Sequence, residues 1–383
     1  MLRKILHSMM EKPKKDVTNT ELSRICNVDD ATFSNFFSYK RDLSIPIWIL
    51  SIKYLSPSRE NEVLDLLVPD TIKSEDREKC RHLMEYTSTR RRLDLLEIVV
   101  DSQEKAPREN KDWAKVYRIS LHYQRRDKSN AEILAMLDSY SPKFTETKAF
   151  HLILKARVYY MLKEYKSMFR VALEAEKEIK KICSPYIKEN YLARLNELYA
   201  HAYLYLRNDV KKARYYANVV INSRFLCANF YSHMYHLLGT SFLFESYEES
   251  HENFLTYYNL LQKQGRHDLA KETLNLDIYF CKVLWGKLLG TIETNDPIER
   301  MHYLARIGDK NEFNELYSQS NQNDPFILCY KGIIENDPES LQESLLEFIN
   351  SGNKFFAELP KKELEIYPAY SASTRVLSKI NIA

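Results

Sequence analysis

Glycine is scarce in this chain, with 7 residues in 383, beside 12 prolines. Dinucleotide-binding folds, phosphate-binding loops and most all-β architectures need glycine where φ is positive or where backbone approaches a ligand closely. So few breakers over such a length leave long helices as the natural reading. At this size, several packed units or an elongated repeat array are favoured over one core. The hydrophobic fraction of 44% and charged fraction of 28% are ordinary for a water-soluble protein. The longest apolar run, "IPIWILSIKYL", is too short to span a bilayer and contains Lys53. The basic opening "MLRKILHSMMEKPKK" lacks a proper apolar segment and cleavage site, so it does not read as a signal peptide. Cys26, Cys80, Cys183, Cys227, Cys281 and Cys329 form no CxxC pair, which points to a reducing cytoplasm rather than a disulfide framework.

The helical periodicity predicts short helices up to residue 68 and long helix pairs after it. These include 74–86, 88–104, 109–126, 185–206, 226–245, 248–264, 297–307, 325–335, 338–351, 353–366 and 369–380. Stops are marked by "SYSPKF", "RNDVKK", "TNDPIE", "NQNDP", "ENDPE" and "NSGNK". Two pairs align with each other, "ELYAHAYLYLRNDVKKARYYA" and "HLLGTSFLFESYEESHENFL", placing Ala200 over Gly239 and Tyr203 over Phe242. An earlier pair places Ala156 on Ala200, so the spacings are 200 − 156 = 44 and 239 − 200 = 39 residues. Both exceed the roughly 34 of an ideal tetratricopeptide repeat, yet the small and aromatic positions match it. A small residue lets paired helices approach, and stacking of neighbours buries what each pair alone cannot. The expected fold is all-α, an N-terminal helix-turn-helix followed by a degenerate tetratricopeptide-like right-handed superhelix. The expected domains are 1–68 and 69–383.

The stretch "NTELSRICNVDDATFSNFFSYKR" carries the N-terminal module. Asn19 is expected to cap one helix with Leu22 and Ile25 inward, Asn27-Val28 to turn, and Asp29 to cap a second helix that buries Phe33, Phe36 and Phe37. The outer face of that second helix would present Thr32, Ser34, Asn35, Ser38 and Tyr39, ending in Lys40 and Arg41. Short polar side chains of this kind reach base edges, while a basic end sits beside phosphates. Net charge is only +3, but Arg3, Lys4, Lys12, Lys14 and Lys15 join Lys40 and Arg41 in this module. Arg90, Arg91, Arg92, Arg125 and Arg126 follow. They read as a phosphate-contacting surface or as solvated helix faces.

"HMYH" places His233 and His236 one turn apart. No carboxylate or third histidine with ligand spacing accompanies them, so no metal or other cofactor is expected. No nucleophile–base or paired-carboxylate arrangement stands out, and an enzyme is not expected.

A terminal helix-turn-helix ahead of a degenerate repeat resembles the RRNPP family of peptide-sensing regulators, and within it the arbitrium receptors of Bacillus phages. The resemblance rests on "DDATFSNFFSYKRDLS", "LLGTSFLFESYEESHENFL" and "CYKGIIENDPESLQESLLEFINSGNKFFAELPKKELE" and covers essentially the whole chain. It implies a homodimeric transcription factor that binds phage operator DNA, with no membrane partner. A short linear peptide with a free C-terminal carboxylate would fill the groove and switch that activity off. Carried over residue by residue, Asn196 would hold the peptide backbone and Arg224 its carboxylate. Tyr235, Leu238, Asn353 and Phe355 would line the groove. The alternatives are a surface ion pair for Arg224 and core positions for Tyr235, Leu238 and Phe355. Pairing of chains is expected through 325–383, where Val376, Leu377 and Ile380 form an apolar stripe. The competing functions are a Rap-like protein that binds a response regulator and a plain repeat scaffold.

Overall fold

The computed structural model describes residues 1–11, 17–287, 294–368 and 370, and among these every regular element is helical. The chain opens with α1 (Leu2–Met10), α2 (Asn19–Cys26), α3 (Ala31–Phe37), α4 (Ile45–Leu55) and α5 (Glu60–Lys73). Next come α6 (Arg77–Arg90), α7 (Leu93–Glu104), α8 (Glu109–Arg125) and α9 (Asn130–Asp138). The middle of the chain forms α10 (Thr145–Met161), α11 (Tyr165–Lys180), α12 (Pro185–His201), α13 (Val210–Ile221), α14 (Ala228–Phe242) and α15 (Tyr247–Lys263). The rest forms α16 (His267–Thr273), α17 (Tyr279–Leu284), α18 (Pro297–Ile307) and α19 (Lys310–Ser318). It ends with α20 (Pro325–Glu335), α21 (Pro338–Asn350) and α22 (Glu358–Leu364). A wider π turn over Ala202–Leu206 extends α12, and another over Leu274–Ile278 joins α16 to α17. No helix among the described residues is long and apolar enough to cross a membrane.

The sharpest helix starts have an Asp-Pro pair. Asp296, Asp324 and Asp337 each accept backbone N–H bonds from the first turn, and the proline beside them occupies the first helical position. That position needs no donor, and each cap contributes about 1 kcal/mol. The break expected at 86–88 is absent, and α6 runs on to Arg90. Thr87 and Thr89 return their hydroxyls to the carbonyls of Leu83 and Glu85, at 2.7 and 3.0 Å, so a run that reads as a turn stays helical. Arg91, at φ 57, ends the helix instead.

Packing divides the chain into two compact units. The first holds Met1–Val158, Val171–Leu195 and Asn222–Phe230, and the second holds Tyr159–Arg170, Asn196–Ile221 and the described residues from Tyr231 on. In the first unit Trp113, Tyr117, Phe150 and Tyr191 form a ladder of stacked rings, 5.6, 4.4 and 5.4 Å apart in turn. Against it lies a buried ion pair, Arg194 Nε donating to Glu85 Oε1 at 2.9 Å, with the Tyr117 hydroxyl donating to Oε2 at 2.7 Å. In the second unit the small residues explain the close helix pairs. A Cβ on Gly239 of α14 would meet the Phe254 ring of α15 at 2.6 Å, and one on Gly332 of α20 would meet Leu341 of α21 at 2.6 Å. Ala200 is likewise fully buried, as is Ala156 in the first unit. The boundary expected at residue 68 falls inside α5, which continues through Pro69 to Lys73.

Candidate functional site

The N-terminal helix pair is α2 and α3, joined by Asn27, whose left-handed φ of 53 closes α2. Thr18, not Asn19, caps α2, its side chain accepting from the Glu21 N–H. Asp29 receives the Ala31 N–H at 2.8 Å and so serves the start of α3. Leu22 is fully buried, but Ile25 is 37% exposed and Cys26 takes the inward position. Phe33 and Phe36 are buried, Phe37 is half-buried, and Trp48 of α4 meets Phe36 edge-on at 5.6 Å. The run "IPIWILSIKYL" is thus the helix that closes this bundle.

The second helix is shorter than expected. It ends at Phe37, because Tyr39 adopts φ 62 and the N–H groups of Lys40 and Arg41 both turn back to the Asn35 carbonyl. Thr32, Ser34 and Asn35 therefore lie on α3, whereas Ser38, Tyr39, Lys40 and Arg41 form the turn beyond it. Thr32 and Asn35 are half-buried and the other five are exposed. Arg3 of α1 buttresses this turn, donating to the Phe36 carbonyl at 2.7 Å and lying 4.2 Å from the centre of the Tyr39 ring.

The downstream arginines are engaged elsewhere. Arg90 is buried against Glu60, Arg92 binds Asp65 and Asp94, and Arg125 binds Glu97. Their charge is neutralised within the protein, so the expectation that they extend a phosphate-contacting surface is corrected for these three. Lys12, Lys14 and Lys15 lie outside the described residues, as do Val376, Leu377 and Ile380.

Of the six candidate groove residues, five fall in the second unit and Arg224 in the first. Asn196 on α12 is half-buried. Tyr235 of α14 packs partly buried against Tyr257, Leu261 and Ala270, and Leu238 is 7% exposed. Phe355 is buried, its ring 5.1 Å from Phe244 and 5.3 Å from Phe356. Asn353 accepts the Phe356 N–H at 3.4 Å, helping shape the turn that precedes α22. Arg224 lies between α13 and α14, half exposed, with its guanidinium on both oxygens of Glu189. Its loop is tied down from two helices. Lys53 of α4 donates to the Ser223 and Arg224 carbonyls at 3.5 and 3.1 Å, and Arg90 of α6 donates to the Phe225 carbonyl at 2.6 Å.

The two histidines of "HMYH" take different carboxylates. His236 bonds Asp277 at 3.0 Å, and this half-buried pairing raises its pKa although desolvation alone would lower it. His233 bonds Glu197 at 2.6 Å, and His201 stands beside them. The carboxylate and second imidazole that sequence spacing around "HMYH" did not offer come from α12. Only the one-turn spacing of Glu197 and His201 could have signalled it.

Residues 69–366 match the family described as AimR transcriptional regulator-like. The chain belongs to this family. Among its relatives is the AimR transcriptional regulator of Bacillus phage phi3T, 23% identical over 328 residues, which span 82% of this chain and 84% of that protein. The solved structure of SeMet-phAimR is similar over 99% of this chain and 100% of its own, with a TM-score of 0.71 at 20% identity. A structure described as phAimR-Ligand is similar over 85% of this chain and 98% of its own, with a TM-score of 0.69. The AimR fold thus extends across α1–α5, beyond the segment that the family model covers.

Proposed function

We propose that this AimR-family chain is an arbitrium receptor: a DNA-binding transcriptional regulator of phage lysis–lysogeny, switched off by a short communication peptide. Residues 1–68 read operator DNA, and 69–383 bind the peptide and pair two chains. The observation that carries the reading is the polar character of the edge at residues 31–41, set on a fold and family of transcriptional regulators. Ser34, Ser38, Lys40 and Arg41 are exposed there while the phenylalanines turn inward. A helix pair that docks a response regulator would expose apolar side chains at that edge instead, and Tyr39 alone among its large apolar residues is exposed.

In this reading Thr32, Ser34, Asn35, Ser38 and Tyr39 approach bases and backbone, and Lys40 and Arg41 bind phosphates. Asn196 satisfies peptide backbone groups, Arg224 takes the terminal carboxylate, and Tyr235, Leu238, Asn353 and Phe355 complete the wall. Two chains pair through 325–383, which suits an operator with two half-sites. Light scattering of a chain ending at Tyr367 tests that part, and a persistent dimer would move the interface elsewhere. The central experiment is a mobility shift on the DNA flanking the gene, with and without candidate hexapeptides. Binding that a peptide abolishes supports the receptor. Absence of any specific shift would leave the Rap-like reading in its place.

A further inference from the structure

We propose that Glu197, His201 and His233 form a binding site for one divalent d-block cation of the zinc class. Each residue offers a ligand atom, and these atoms all lie within 4.8 Å of one another. Glu197 and His201 stand one turn apart on α12, and His233 comes from α14, so the three converge from two helices. Two imidazoles and a carboxylate are a common zinc donor set, which leaves a fourth position for water or an incoming oxygen. Zinc ligands at about 2.0–2.1 Å from a tetrahedral ion lie roughly 3.3 Å apart.

The surroundings favour an ion over a plain ion pair. Glu197 and His201 are 6% and 4% exposed, so two of the three donors are sheltered from bulk water. The His201 ring is braced by Tyr160, 4.2 Å away, and lies nearly parallel to the His233 ring, with 8° between planes. Among the described residues this is the one such group of three donors. A bound cation would replace the 2.6 Å bond between His233 and Glu197 and fasten α12 to α14. Those helices also carry Asn196, Tyr235 and Leu238, so occupancy would stiffen the wall assigned to the peptide. That consequence rests on the proposed function, whereas the site itself does not.

The test uses the full chain, stripped with a chelator and titrated without peptide, so its outcome is separate from that of the peptide reading. Zn2+ should bind saturably at one per chain by calorimetry and raise the melting temperature. Co2+ should give the visible band of a four- or five-coordinate site. His233 is partly exposed, so His233→Gln should keep the helical circular dichroism. It should weaken Zn2+ by at least the roughly 10–100-fold that losing even an outer partner costs. Glu197→Gln should do the same at unchanged volume. Cys183→Ser removes the exposed thiol and should change nothing. Absence of saturable binding, binding indifferent to His233→Gln, or binding lost in Cys183→Ser would each overturn the site.

Discussion

Arg224 grips Glu189 through both carboxylate oxygens, its Nε 3.0 Å from each and its Nη2 2.8 Å from Oε2. The guanidinium is therefore already used as a fork for a carboxylate, the geometry a peptide C-terminus would require. It is also 52% exposed, so the pair is weak and exchange for another carboxylate costs little.

Peptide affinity follows from this competition. Glu189→Gln removes the internal competitor and should tighten a free-acid peptide by up to roughly fivefold, the scale of an exposed ion pair. Arg224→Ala should erase the preference for the free acid over the C-amidated peptide. Calorimetry with both peptides reads both effects. Equal affinities in the wild type, or no gain in Glu189→Gln, would make Arg224 a structural residue only.

DNA binding should separate the two parts of the N-terminal edge. Ser34→Ala and Asn35→Ala on α3 should weaken operator binding by about 1–3 kcal/mol each and random DNA far less. Lys40→Ala and Arg41→Ala, in the turn beyond it, should weaken both and flatten the salt dependence. Mobility shifts on operator and scrambled DNA across a salt series decide between these patterns. Parallel loss for all four variants would remove base readout from α3.

The sequence made the helices legible wherever a boundary is chemical and local. The Asp-Pro starts at 297, 325 and 338 fall where they were expected, and so do the ends at Ile307 and Glu335. The small-residue positions Ala156, Ala200 and Gly239 were also readable, because close helix approach tolerates few side chains. What stayed hidden depended on backbone or tertiary choice. Tyr39 carries no glycine signature, yet its left-handed φ ends α3 early. Thr87 and Thr89 look like a turn until their hydroxyls are seen to serve their own helix. Glu189, 35 residues from Arg224, and His201, 32 residues before His233, become neighbours only when helices pack.

Acid sensitivity should include a part assignable to His82. Burial pushes its imidazole down to about 4, with Arg81 adding to the effect and Asp76 opposing it. The Tyr186 ring lies 5.1 Å away, and the Ser184 hydroxyl is 3.3 Å from Nε2. The folded state holds the ring neutral, while the unfolded chain protonates it near pH 6.5. Stability from this group is therefore complete above pH 6.5 and lost as the pH falls toward 4, by roughly 3 kcal/mol. Urea unfolding midpoints over that window should fall less steeply in His82→Gln. An unchanged slope would show that His82 protonates freely when folded.

Lys53 should carry part of the coupling between peptide and DNA. Its ammonium holds the Ser223 and Arg224 carbonyls, and its own helix, α4, places Trp48 against Phe36 of α3. A shift of the Arg224 loop when Glu189 is exchanged for a peptide carboxylate would therefore pull on the helix that supports α3. Lys53→Met keeps the stem and removes the tie. It should leave peptide affinity and peptide-free DNA affinity within about threefold of the wild type, because Lys53 contacts neither ligand in this reading. The change in DNA affinity that peptide produces should shrink by roughly 0.5–2 kcal/mol. Operator titrations at zero and saturating peptide, on both proteins, give the four affinities needed. If the peptide effect survives intact in Lys53→Met, the signal reaches α3 by another route and the lysine merely anchors a loop.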